Sequence, residues 1–209
     1  MKIAIQKASE RGTANHGWLN AKYYFSFSNY HNPEKVHFGA LRVLNDDIVA
    51  GGGGFPPHPH DNMEIVTIPL TGALAHKDNS GGAGIIKAGD VQIMSAGTGV
   101  QHSEVNESKT ESVNLFQLWV FPKERNIKPR YDQRTFDIND RVNKWQVVVS
   151  PKEEDKALWI NQDSVFALTK LEAGRSLNYE NSFKGNGVYL VVIKGSVKIN
   201  DTILDKRDA

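Results

Sequence analysis

Two histidines two residues apart, His58 and His60, sit in the run Phe55-Pro56-Pro57-His58-Pro59-His60-Asp61-Asn62-Met63-Glu64-Ile65-Val66-Thr67. On an extended backbone alternate side chains share a face, so both imidazoles point the same way. Pro57 and Pro59 disfavour helix at the residues before them and hold this stretch in β or polyproline geometry. Imidazole is the commonest side-chain metal ligand, and a same-face pair supplies two corners of a coordination sphere. A lone His-x-His is weak evidence and needs partners. Some forty residues on, Gly97-Thr98-Gly99-Val100-Gln101-His102-Ser103-Glu104-Val105-Asn106 offers His102 and Glu104, again at strand spacing. A second strand laid against the first would bring three imidazoles and a carboxylate to one point. Glu64 shares the parity of His58 and His60 and competes with Glu104 for the fourth place.

The elements that must position these residues are short. Apolar runs at Val36–Leu44, Glu64–Ala75, Ile85–Met94, Asn114–Phe121, Trp145–Val149, Val165–Leu171, Val188–Ile193 and Ser196–Ile199 alternate with Gly-, Asn- and Asp-rich turns. Such spacing predicts an all-β sandwich or barrel. No long segment has a 3.6-residue period, although Asp140–Trp145 could form a helical turn. The stretch 120–140, rich in proline and charge, reads as a connection between two units. The second unit faintly repeats the first: Leu70-Thr71-Gly72-Ala73-Leu74-Ala75-His76 parallels Ile193-Lys194-Gly195-Ser196-Val197-Lys198-Ile199. The repeats are chemically unequal, because all seven histidines precede residue 103.

Composition excludes several classes. The 209 residues suffice for one large or two small units with a real core. A net charge of +1 with scattered charged residues gives no basic footprint for nucleic acid or an anionic membrane. The absence of cysteine removes disulfides, thiolate metal sites and a cysteine nucleophile. Met1–Lys7 has no apolar signal-like core, and no apolar run reaches the length of a membrane span. A soluble, cytoplasmic protein is the expectation.

Several motifs in order resemble one family. His58-Pro59-His60-Asp61-Asn62-Met63-Glu64 resembles the first cupin motif, and Gly89-Asp90, Gly97, His102 and Asn106 resemble the second. Tyr24–Tyr30, Phe38–Asp47, Met94–Glu104 and Gln117–Val120 narrow the likeness to the pirins and pirin-like quercetin dioxygenases, densely over residues 15–135 and loosely beyond. The resemblance implies a bicupin, two jelly-roll-like β-barrels: a metal-binding unit over 1–135, with a connection beginning near 120, and a unit without ligands over 136–209. It places the metal ligands at His58, His60, His102 and Glu104, and so favours Glu104 over Glu64. It implies one divalent ion, Fe(II) first, with Zn, Ni, Mn or Cu compatible. In the quercetinase reading a flavonol binds through its 3-hydroxyl and Glu104 also serves as general base. The second reading is a metal- or redox-responsive binding protein with a transcription factor or metabolic enzyme as partner, since fold does not settle function.

Other residues read as structural. Gly51–Gly54 lacks the Lys-Ser/Thr of a phosphate loop and reads as a permissive turn. His76 reads as reaching outward to solvent, and His16, His31 and His37 as surface or hydrogen-bonded residues. Phe25, Phe27, Trp119 and Phe121 read as core, and no Ser-His-Asp set is left once the histidines are committed. Glu64, if outside the coordination sphere, would hold a histidine's second nitrogen or close a polar network beside the metal. The second unit reads as unfinished at Arg207-Asp208-Ala209, with Tyr189–Ile193 and Val197–Ile199 leaving open edges. The expectation is self-association through that unit or partial disorder, the alternative being closure by Lys2–Lys7.

Overall fold

The computed structural model describes residues 3–209, and the part of the Lys2–Lys7 segment before Ile3 lies outside them. It is all-β, with only three short 3-10 turns at Ala8–Glu10, Ile138–Arg141 and Glu153–Asp155. The second of these begins just before the helical turn expected over Asp140–Trp145. No helix among the described residues is long and apolar enough to cross a membrane.

Seven strands form the larger sheet in the order β1 (Gly12–Asn15), β2 (Leu19–Tyr23), β3 (Leu41–Val49), β10 (Val113–Val120), β5 (Glu64–Thr71), β8 (Asp90–Ser95) and β11 (Arg130–Thr135). Four strands face it: β4 (Gly54–His60), β9 (Val100–Asn106), β6 (Ala73–Asp78) and β7 (Ala83–Lys87). Two facing sheets, rather than one closed cylinder, make this cupin-like unit. Within the proline- and charge-rich stretch 120–140, β11 is a sheet strand paired to β8.

The large sheet is covered on both faces. Leu44, Val66, Ile68, Ile93, Phe116 and Leu118 pack outward against Val148, Val149, Leu158 and Ile160 of the following segment. That cover explains why β5 and β8 are buried almost without interruption, whereas β9 alternates buried and exposed residues. The later segment holds a three-stranded sheet, β13 (Leu158–Trp159), β12 (Gln146–Ser150) and β14 (Phe166–Leu168), and a hairpin of β15 (Val197–Ile199) and β16 (Thr202–Leu204). Val188–Ile193, expected as a strand, forms none. Val192 N donates to the Asp208 carbonyl and Val192 O accepts from Arg207 N, while the Ile193 carbonyl accepts from the Arg207 guanidinium. Gln6 and Ala209 exchange backbone hydrogen bonds of 2.8 and 2.9 Å, and Lys7 pairs with Asp208 at 2.7 Å.

Inside the first unit the facing surfaces are apolar at both ends and polar between. Leu19, Ala21, Val49, Leu74, Val113 and Leu115 fill one end, and Ile65, Met94, Ala96 and Val100 the other. Between them Asn45, Gln117, Thr67 and Gln92 are cross-strand partners in one row over β3, β10, β5 and β8. Asn45 Oδ1 and both amide atoms of Gln92 are buried without a hydrogen-bond partner in the protein.

Adjacent acids on β3 show how alternation divides the two faces. Asp46 points outward, where Arg11 at 2.9 Å and Arg207 at 2.8 Å bind Oδ2 and the Asn114 amide donates to Oδ1. Asp47 points inward, its Oδ1 unpartnered, and its carboxyl is pushed up to about 8 by burial, then by the charges of Asp46 and Glu104. Asp46→Ala strands two largely buried guanidinium groups and is expected to lower the unfolding free energy by about 3 kcal/mol, measured by urea denaturation. A loss below about 1 kcal/mol would rank these pairs with surface ion pairs. For Asp47 the raised folded pKa means that stability present below the unfolded value falls as pH rises through about 8. Relative to wild type, Asp47→Asn should therefore gain steadily between about pH 4 and 8. Parallel stability curves for the two proteins would contradict the burial argument.

Candidate metal centre

β4 is an edge strand, the place where proline is tolerated because no neighbour needs its missing N–H. Gly54 lets it lie against β9: a Cβ there would stand 2.6 Å from the Glu104 carbonyl oxygen and 2.7 Å from Val105 Cα. The register slips between Phe55 and His58, so Pro56 and Pro57 bulge out and His58 falls directly opposite His102. His60 follows opposite Val100. The entry to β9 is fixed by Gly97, at φ 50°, whose hydrogen faces the Ile127 carbonyl where no side chain fits.

The register gathers the three imidazoles. Ring centroids lie 4.4 Å apart for His58–His102, 4.9 Å for His58–His60 and 4.9 Å for His60–His102. One nitrogen from each lies within 4.8 Å of the others. His58 Nδ1 faces the Pro56 carbonyl at 2.8 Å and donates to it, which leaves Nε2 as the lone-pair nitrogen. His102 Nε2 is buried with no hydrogen-bond partner in the protein. Burial and then the His58 charge push His60 down to about 4, and burial with the neighbouring imidazoles pushes His102 to about 3. These rings are unprotonated at neutral pH, as metal ligands must be. A buried imidazole nitrogen without a partner is costly unless something binds it, so the residues fit a cation.

Glu104 lies behind this cluster, 1% exposed. Its carboxylate oxygens accept hydrogen bonds from Gln117 Nε2 at 2.6 Å and Thr67 Oγ1 at 3.3 Å. Burial still lifts it to about 7, against the lowering effect of those two bonds. Gln117 Oε1 in turn accepts from Trp119 Nε1 at 3.2 Å. Glu104 belongs with His102 to a second set of converging ligand atoms that includes His76.

Several expectations need correction. His76 is not solvent-facing: it is 3% exposed, inside the sandwich, beside His102. Glu64 holds no histidine. Asn62, at φ 44°, interrupts the chain between β4 and β5 and breaks the parity that linked Glu64 to His58 and His60. The Glu64 carboxylate instead accepts from Ser95 Oγ at 2.8 Å and the Asn161 backbone N–H at 3.2 Å, joining the first unit to the later segment. Among the aromatic residues read as core, Phe25 is buried there, but Phe121 is 42% exposed. Trp119 stands edge-on to His60 at 4.8 Å, with Phe27 5.4 Å behind it. His16, His31 and His37 are exposed. Gln117, Thr67 and Asp78 were not singled out by the sequence. A polar residue inside the apolar runs β5 and β10 was the available signal for Thr67 and Gln117, whereas Asp78, at the end of β6, had none.

The pirin family profile matches residues 4–120, and a profile described as quercetinase C-terminal cupin domain matches residues 147–209. The chain is 45% identical over 199 residues to the quercetin 2,3-dioxygenase of Escherichia coli K12, covering 95% of this chain and 84% of that one. It is 42% identical over 198 residues to a pirin-like protein of Caulobacter vibrioides, covering 94% and 84%. The crystal structure of the bacterial pirin YhhW from Escherichia coli in complex with nickel(II) superposes with a TM-score of 0.86 at 42% identity, covering 98% of this chain and 87% of that one. With its facing sheets, its histidine cluster on the β4–β9 pair and these matches along both halves, the chain belongs to the pirin family.

Proposed function

We propose that this protein is a metal-dependent dioxygenase that opens the ring of quercetin-like flavonols, with His58, His60, His102 and Glu104 as the metal ligands. The observation that carries the reading is the convergence of three imidazoles, one with a buried unpartnered Nε2, beside the buried carboxyl group of Glu104. The named activity of the Escherichia coli relative and the nickel-bound YhhW support the same chemistry. A divalent ion held there would supply Lewis acidity toward substrate and O2. Fe(II) is the first choice, and Zn, Ni, Mn and Cu meet the same donor set.

The chain's own groups account for binding and proton movement. His58 and His60 are half-buried, so the cluster is reached from their side, past Trp119 and Phe55. Those flat rings suit a planar aromatic substrate. Glu104 is the group placed to take the 3-hydroxyl proton onto its carboxylate. Gln117 and Thr67 hold the carboxylate in place while it does so. We assign residues 1–135 to the metal-binding unit, because β11 completes its large sheet, and 136–209 to the unit without ligands.

Anaerobic Fe(II)-loaded protein given quercetin and then air should consume O2 and bleach the flavonol absorption. A metal-replete sample that does neither overturns the reading. Glu104→Gln should slow turnover by about 100-fold or more. His58→Ala and His102→Ala should lose bound metal on dialysis, measured by elemental analysis, while Glu64→Ala keeps it. Equal loss in all three would show that the carboxylate is wrongly assigned.

A further inference from the structure

Behind His102 a line of three side chains runs away from the cluster. On β6, His76 is the cross-strand partner of Glu104 and Asp78 that of His102. His76 Nε2 lies 3.0 Å from Asp78 Oδ2, and both side chains are fully buried. His76 Nδ1 lies 3.4 Å from His102 Nδ1. The other Asp78 oxygen accepts from Ser80 N at 2.8 Å, Ser80 Oγ at 2.8 Å and Gly82 N at 2.9 Å. Tyr131, from β11, stacks on the His76 ring at 4.7 Å and 30°. The imidazole is therefore clamped in plane and in direction.

The protons along this line can be placed by chemistry. Burial alone would raise the Asp78 carboxyl, but hydrogen bonds from His76, Ser80 and Gly82 outweigh it and hold it below the usual value, so it is ionised. An ionised carboxylate only accepts, so the proton between it and His76 sits on His76 Nε2. A neutral imidazole has one N–H, which makes His76 Nδ1 an acceptor. The proton in the contact with His102 then belongs to His102 Nδ1. His102 Nε2 is left with a bare lone pair, and this is the buried nitrogen that has no partner in the protein.

We infer that Asp78 and His76 are positioning residues that fix the tautomer and orientation of His102, so that its Nε2 is presented as a metal donor. The inference rests on the reading of His102 as a ligand. Such outer partners typically change metal affinity by about 10- to 100-fold when removed.

Asp78→Asn is the sharp test. The amide keeps an oxygen for Ser80 and Gly82 and turns an NH2 toward His76 Nε2. His76 must then carry its proton on Nδ1 and donate to His102 Nδ1, which drives His102 to the tautomer with a blocked Nε2. An Asp→Asn change beside a catalytic histidine acts in this way in serine proteases, with geometry intact and the tautomer wrong. In the metal-free, 15N-histidine-labelled full chain, two-bond 1H–15N correlations should show His102 protonated at Nδ1 and His76 at Nε2. Asp78→Asn should reverse both, and Ni(II) affinity from chelator competition should fall about 10- to 100-fold. His76→Phe keeps the stack on Tyr131 but removes the acceptor, and should weaken Ni(II) similarly with His102 in mixed tautomers. Wild-type His102 protonated at Nε2, or tautomers and affinity unchanged in both variants, would overturn the inference. Failure of the underlying ligand assignment would appear separately, as full Ni(II) retention by His102→Ala.

Discussion

The candidate centre depends on the pairing of β4 with β9. One slip in that ladder places His58 opposite His102, and the alternation of the two strands then determines which neighbours face inward. The slip is a consequence of Pro56 and Pro57, which cannot donate to a ladder and are accommodated as a bulge on an edge strand. A regular pairing through Phe55–His58 would turn the histidines of one strand away from those of the other. The same prolines also hold the backbone extended, so the site is organised before any ion arrives.

Around this pair, the sandwich uses burial to set charge. Imidazoles withdrawn from water lose their protons, while the carboxylates of Glu104 and Asp47 tend to keep theirs. Asp46, one residue from Asp47 but on the opposite face, meets two guanidinium groups instead. Apart from the ionised Asp78, these inner groups are thus drawn toward their neutral forms, and a divalent cation would be the strongest charge among them. Gln117 and Thr67 donate to Glu104 and so orient its carboxyl group.

Much of this was legible in the sequence. Strand parity aligned His58 with His60 and His102 with Glu104, and the apolar runs predicted most of the central strands. What the sequence hid follows from a common cause: periodicity shows that a strand has two faces but not what each face meets. Gln117 lies in an apolar run that reads as core because both faces of β10 are covered. His76 could have faced either way until the pairing of β6 with β9 put it inside. The parity that linked Glu64 to His58 and His60 does not survive Asn62, whose left-handed backbone ends the alternation, and the Glu64 carboxylate meets Ser95 and Asn161 instead. Trp119 shares its row with the core residues Val43, Ile65 and Met94, and it joins the site because that end of the sandwich also meets His60.

The strand order also carries a kinetic consequence. β10 lies at the centre of the large sheet, and its partners on β3 come from far earlier in the chain, as with Asp46 and Asn114, 68 positions apart. Closing such loops loses chain entropy before any pairing is gained, and topologies of this kind fold slowly. Gln117 and Trp119 are both on β10, so the carboxylate support and the aromatic wall beside His60 arrive together and late. During synthesis, His58, His60 and His102 all emerge before the strand that encloses them. The three imidazoles thus precede in the chain the strand that supplies Gln117 and Trp119, and both the support of Glu104 and the aromatic wall at His60 depend on a strand that follows them all.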